Sequence, residues 1–193
     1  MERILAVGAH IDDVEIGCGG TLLKHKEQGD YICVAAVKAD CPDGGDSKLR
    51  QEEQVVAAEL IGSDLIMLPG NISITDIVNK LDKINPTIIY FPYKIDHHQD
   101  HYRAFQAAMA TGRRPDVGLF GYLVTTSYEY YPNYFSIIDI EKKKKLVSIF
   151  KTQIERKDRY VDMFVNQNRF FGTLVDEDGI YAEGFVQYKK VWR

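Results

Sequence analysis

Cysteine is scarce in this sequence, and the little there is has no framework spacing. Cys18, Cys33 and Cys41 form no even disulfide set and no paired zinc motif. They read as reduced thiols, which points to a cytoplasmic protein. No apolar run approaches the roughly 20 residues that a membrane-spanning helix needs, so no membrane partner is expected. Met1-Glu2-Arg3 leads straight into a strand-like run with no signal-peptide pattern. Basic residues are not in excess: the net charge is −4, which argues against a nucleic-acid surface as the main function. Internal repeats, low-complexity tracts and linkers are absent as well. Residues 1–193 therefore read as a single domain, long enough for one sizeable core. With 45% hydrophobic and 27% charged residues, the chain has the balance of an ordinary globular protein.

What is present is a regular alternation. Apolar runs at 3–7, 31–37, 64–68 and 87–91 read as buried strands, continuous in apolar character as parallel strands are. Between them, 15–28 reads as a helix stopped by Gly29, and a second helix capped by Ser47 runs to about Leu60 before Gly62. A short third helix is capped by Ser73 or Thr75, and a fourth spans about Asp100 to Thr111. The stretch 40–47 is rich in turn formers and reads as a loop. Strict alternation of this kind predicts right-handed βαβ units around a parallel sheet. The fold class is α/β: a single-domain, Rossmann-like, doubly wound and mainly parallel sheet, order 3-2-1-4-5, with C-terminal additions. After Pro115 the pattern loosens. Strands are expected at 117–124, 135–140 and 181–186, with an aromatic loop at 128–134 and a turn at 176–179. One helix is expected from the basic run Lys142–Lys145, read as a solvated face, to about Phe164.

Two groups of ionisable residues fall where strands end. Ala9-His10-Ile11-Asp12-Asp13-Val14-Glu15 follows the first strand. A helix N-cap would account for an aspartate there, but not for His10 beside two adjacent carboxylates. Asp96-His97-His98-Gln99-Asp100-His101 follows the fourth strand. In a 3-2-1-4 order, strands one and four are neighbours whose helices leave on opposite faces, so both groups border the crevice at the switch point. Imidazole and carboxylate suit zinc, and a catalytic zinc takes three protein ligands and keeps a position for water. His10, one of the two aspartates, and one or two of His97, His98 and His101 supply such a set. The second aspartate is then available as general base, and a spare histidine, oriented by Asp96 or Asp100, as acid or oxyanion donor. The parts are those of metal-assisted amide or ester hydrolysis.

On these residues the chain resembles the PIG-L/LmbE-like family of zinc-dependent N-acetylglucosamine deacetylases. That family carries Ala-His-Pro-Asp-Asp-x-Glu and a Gly-Gly-Thr helix entry, matched here by Ala9–Glu15 and Gly19-Gly20-Thr21. Its His-x-Asp-His motif is matched by His98-Gln99-Asp100-His101. Arg50-Gln51-Glu52-Glu53 is similar to its Arg-x-x-Glu, and Tyr181-Ala182-Glu183-Gly184-Phe185 to its Tyr-Ala-Glu-x-Phe element. The resemblance implies that His10, Asp13 and His101 bind Zn2+, with Fe2+ or another divalent metal as the alternative. Asp12 would be the general base toward a zinc-activated water, and His98 a cation or acid oriented by Asp100. Arg50 and Tyr181 would contact the substrate, an N-acetylated amino sugar or glycoconjugate. The resemblance also implies that the chain forms a homo-oligomer. Ile11 and Gln99 depart from the family pattern, each standing where the family has proline.

The competing reading is a nucleotide- or sugar-binding protein on a Rossmann-like fold without hydrolase activity. A pyrophosphate site would need glycines at the first turn. Here that turn carries Asp12, Asp13 and Glu15, which repel one. His25 reads as solvated, and Cys18 as a small buried apolar residue. The tyrosines at 128, 130, 131 and 134 suit a sugar platform, core packing or a subunit contact equally.

Overall fold

The four apolar runs become the centre of one sheet. In this computed structural model, which describes residues 1–40, 46–156, 160–175 and 179–190, β1 (Arg3–Gly8) lies between β2 (Tyr31–Ala36) and β4 (Ile88–Pro92). β3 (Asp64–Met67) flanks β2, and β5 (Gly118–Tyr122) flanks β4, all parallel. Beyond β5, β7 (Ala182–Lys189) and β6 (Tyr134–Ile137) add as antiparallel strands. The full order is β3-β2-β1-β4-β5-β7-β6. The expected core order thus holds, and the C-terminal additions extend the sheet from β5. Cys41, most of the 40–47 loop and most of the 176–179 turn lie outside the described residues.

Alternation along β1 divides the core between two faces. Ile4 and Ala6 pack with Val14 and Leu22 of α1 (Asp13–Glu27) and Ala57 and Ile61 of α2 (Ser47–Ile61). Leu5 and Val7 pack with Ile77 and Leu81 of α3 (Ile74–Leu81) and Ala104, Ala107 and Ala108 of α4 (Gln99–Thr111). Helices α1 and α4, leaving adjacent strands on opposite faces, open the crevice between them.

Three local expectations change. Asp46, not Ser47, caps α2, accepting from the backbone N–H groups of Lys48 and Leu49 at 2.9 and 3.2 Å. Four apolar residues of α2 face outward: Leu49, Val55, Val56 and Leu60 are exposed while Arg50, Glu53 and Gln54 are buried. The inner face of this helix is divided: its first half, Arg50, Glu53 and Gln54, is polar, and its second half, Ala57, Ala58 and Ile61, is apolar and meets the core. The single helix expected from Lys142 is instead α5 (Ile140–Val147), α6 (Lys151–Ile154) and α7 (Tyr160–Thr173). Asp139 caps α5, which stops at Ser148 so that Phe150 turns fully into the core. Nor is the basic run wholly solvated, for Lys143 is 0% exposed. Among the described residues no helix is long and apolar enough to cross a membrane.

Candidate metal centre

The loop that joins β1 to α1 is shaped by Asp13 and Asp12. Asp13 Oδ2 accepts from the backbone N–H groups of Ala9 and His10 at 3.0 and 2.8 Å, which folds the loop back over the helix start. Asp12 occupies the left-handed region at φ 86°, costly for a residue with a Cβ and typical of strained functional loops. Its carboxylate turns into the protein, where Oδ2 accepts from the Tyr160 hydroxyl and Oδ1 lies 3.7 Å from Arg50 Nη2. Arg50 Nη2 also donates to Ile11 O at 3.1 Å. Gln54 takes the Asp12 N–H at 3.4 Å and donates to Glu15 Oε1 at 2.7 Å. Arg50 and Gln54, on the inner face of α2, thus secure the loop at Ile11 and Asp12.

From the other side, α4 brings in the second motif. His98 is its N-cap, and Nδ1 accepts the Asp100 N–H at 3.2 Å, which leaves the ring proton on Nε2. Gln99 is therefore the first helical residue, a position where proline and glutamine both fit because its N–H has no helical partner. His101 Nδ1 lies 3.0 Å from Asp96 Oδ2 and 3.1 Å from Thr126 Oγ1, and its Nε2 is 3.5 Å from Asp13 Oδ2. Asp96 is itself held by Thr126 and Ser127 at 2.6 and 2.8 Å and by the His98 N–H at 2.7 Å. Asp100 Oδ2 sits 3.1 Å from His10 Nε2 and 2.9 Å from Lys38 Nζ, but 3.7 Å from His98 Nδ1.

Ligand atoms of His10, Asp13 and His101 all lie within 4.8 Å of one another, and so do those of His10, His98 and Asp100. The first set fits a divalent ion better. It is the more buried, and Asp96 stands behind His101 as the carboxylate that characteristically orients a metal-bound imidazole. Lys38 already neutralises Asp100 in the second set.

The electrostatics divide the paired aspartates. Burial and the Asp13 charge push Asp12 up to about 7, against the Tyr160 hydrogen bond and Arg50. Burial works the same way on Asp13, but His101 and His10 overcome it and hold that carboxyl well below the usual range. His101 rises to about 10 against its burial because Asp13 and Asp96 face it. Burial and the neighbouring His10 and His101 push His98 down. Glu15 is raised to about 7, chiefly by burial.

The crevice thus collects His10, Asp12, Asp13, Arg50, His98, Asp100 and His101. Tyr181, half-buried, packs against the apolar cluster of Ile16, Ile138, Val147 and Tyr160, with no hydrogen bond to the crevice residues among the described residues. Tyr160, Thr126 and Lys38 were not legible as site residues. They stand alone in sequence, and only the sheet order brings them in. The tyrosines separate. Tyr130 donates to Gly121 O and Gly184 O, and the half-buried Tyr134 packs against the core. Tyr128 stacks on His97 at 4.4 Å beside the crevice, and Tyr131 is exposed. His25 is not solvated; it bonds Asp30 at 2.7 Å and the Tyr90 hydroxyl at 3.1 Å.

Fold and site together define a class, an open α/β protein with a His/Asp cluster able to hold an ion at its switch point. Residues 5–111, more than half of the chain, match the family described as PIG-L: GlcNAc-PI de-N-acetylase, and the chain belongs to that family. It is 31% identical over 126 residues to the uncharacterized deacetylase YaiS of Escherichia coli (strain K12), covering 57% of this chain and 68% of that protein. Two solved structures share the fold. One is N,N'-diacetylchitobiose deacetylase from Pyrococcus horikoshii complexed with its inhibitor MPG, with TM-score 0.81 and 20% identity over 96% of this chain and 83% of that one. The other is GalB, the 4-carboxy-2-hydroxymuconate hydratase of Pseudomonas putida KT2440, with TM-score 0.80 and 18% identity over 100% of this chain and 98% of that one. A deacetylase and a hydratase on one fold leave the chemistry to the site.

Proposed function

We propose that this protein is a metal-dependent hydrolase that removes an acetyl group from an N-acetylated amino sugar or glycoconjugate. The observation that carries the reading is the convergence of His10, Asp13 and His101 ligand atoms within 4.8 Å, with Asp12 beside them. Two imidazoles and one carboxylate suit zinc, with Fe2+ the alternative. Bound there, such an ion polarises a carbonyl and makes water a nucleophile near neutral pH. Asp12 accepts the proton that the attacking water gives up, its carboxylate steadied by Tyr160 and Arg50. His98, with its proton on Nε2, donates a hydrogen bond to the oxyanion that develops on the acyl oxygen, and Asp12 passes the water's proton to the amine nitrogen as the carbon–nitrogen bond breaks. Asp100, bound to Lys38 and His10, fixes His10 rather than His98. The buried Arg50 Nε has no hydrogen-bond partner among the described residues, which supports a substrate contact. Tyr128, stacked on His97, offers a ring face to the sugar. The names of YaiS and the chitobiose enzyme agree with acetyl removal, and the acidic first turn disfavours a nucleotide.

The test is acetate release from a panel of N-acetylated amino sugars, run beside metal analysis. Wild type is expected to hold one zinc per chain and to release acetate, and His101→Ala to lose the stoichiometric metal. Full metal occupancy in His101→Ala would remove the ligand assignment; a metal-loaded wild type that releases no acetate from any amide would remove the hydrolase reading.

A further inference from the structure

Helix α1 is broken in the middle, and the break lies five residues from a metal-ligand candidate. At Cys18 the backbone leaves the helical region, with φ −144° and ψ 15°. A regular helix would join Gly20 N to Ile16 O and Thr21 N to Gly17 O. Here the Gly20 and Thr21 N–H groups donate to Glu183 Oε1 and Oε2 at 2.9 and 2.8 Å, and the Thr21 hydroxyl adds a third donor at 2.6 Å. On the other side of the break, Ile16 O accepts from Lys143 Nζ at 2.6 Å. Lys143 and Glu183 pair with each other at 2.7 Å, and Asn168 takes a further Lys143 proton at 2.9 Å. Both charged residues are 0% exposed.

The charges have the sign that the two helix halves require. The first half ends in carbonyls and meets an ammonium; the second begins in N–H groups and meets a carboxylate. The first half carries Asp13 and Glu15 and starts at the strained Asp12. Its tilt therefore sets where the aspartates stand relative to His98 and His101, which are fixed on α4. Glu183 lies on β7, Lys143 on α5 and Asn168 on α7, so all three groups come from the C-terminal additions.

We propose that the Lys143–Glu183 pair is a positioning device: it splints the broken helix α1 and so holds the metal-binding loop in register with the histidines of α4. The link to metal rests on the functional reading above; the splint itself does not.

The test uses the full chain, with and without zinc. Removing one charge would leave the other buried alone and threaten the fold, so the principal variant is the uncharged pair Lys143→Met/Glu183→Gln. Thr21→Val, which removes one donor and keeps both charges, is the milder second. Amide exchange over residues 9–17 in the chelated protein is expected to accelerate at least about tenfold relative to β2 and β4, and zinc affinity to fall about 10–100-fold, the usual effect of losing outer support. Thr21→Val should move both in the same direction by less, and it decides the matter if the double variant does not fold. Exchange that accelerates equally everywhere, or wild-type exchange at 9–17 with wild-type zinc affinity, would overturn the proposal. Acetate release by wild type tests the functional reading separately, because the exchange contrast is read without metal or substrate.

Discussion

Asp12 and Asp13 are adjacent and chemically identical, yet the fold gives them opposite protonation behaviour. Asp13 sits among two histidines and two backbone N–H groups, which favour its charge. Asp12 is turned the other way by its left-handed backbone, into a pocket where burial opposes charge and Tyr160 and Arg50 restore part of it. Away from the crevice, Asp30 offers a test of the same electrostatics. Although its burial opposes charge, the hydrogen bond from His25 holds its carboxyl below the ordinary range. A folded pKa below the unfolded one stabilises the protein above the unfolded value and is lost as pH falls through the folded one. Asp30→Asn is therefore expected to lower Tm at pH 7 and to narrow the Tm difference from wild type below about pH 3. An equal Tm deficit at both pH values would contradict this.

The elements that position the site were largely legible, and their failures have specific causes. Strands β1, β2 and β4 followed from unbroken apolar runs, and the two motifs fell at their carboxyl ends. Helix α2 carries little apolar periodicity because the first half of its buried side is polar: Arg50 and Gln54 serve the loop before α1, while Val56 faces solvent at 50% exposure. The basic run at 142–145 hid a buried ion-pair member, since periodicity cannot mark one lysine in four. Tyr160 meets Asp12 across 148 positions, a distance that no local pattern spans. The glycines of α1 are explained by packing. A Cβ on Gly17 would stand 2.1 Å from the Tyr122 ring, and that ring is anchored by its hydroxyl to Val7 O at 2.7 Å. Gly17→Ala is expected to destabilise by about 1–3 kcal/mol, the usual cost of overpacking a fixed core, measurable by urea unfolding. A loss under about 0.5 kcal/mol would mean that the ring moves freely.

In the whole molecule, the parallel sheet supplies the crevice and the C-terminal additions complete it. Tyr160 reaches Asp12 from α7, and Glu183 reaches α1 from β7. The second half also leaves large apolar groups outside, among them Tyr131 at 79% and Phe170 at 59% exposure. With the outward residues of α2, these favour self-association, and we expect light scattering at micromolar concentration to report more than one chain; the mass of a single chain would refute it. The central claim concerns the crevice: Asp13 holds the metal and Asp12 moves the proton. The most direct measurement is kcat for acetate release by Asp12→Asn and Asp13→Asn, each paired with its zinc content. Asp12→Asn is predicted to keep one zinc and lose roughly 10²–10⁴-fold in kcat, the usual share of general-base catalysis, whereas Asp13→Asn loses metal and activity together. Near wild-type kcat in zinc-loaded Asp12→Asn, or metal lost from Asp12→Asn but kept by Asp13→Asn, would contradict the account.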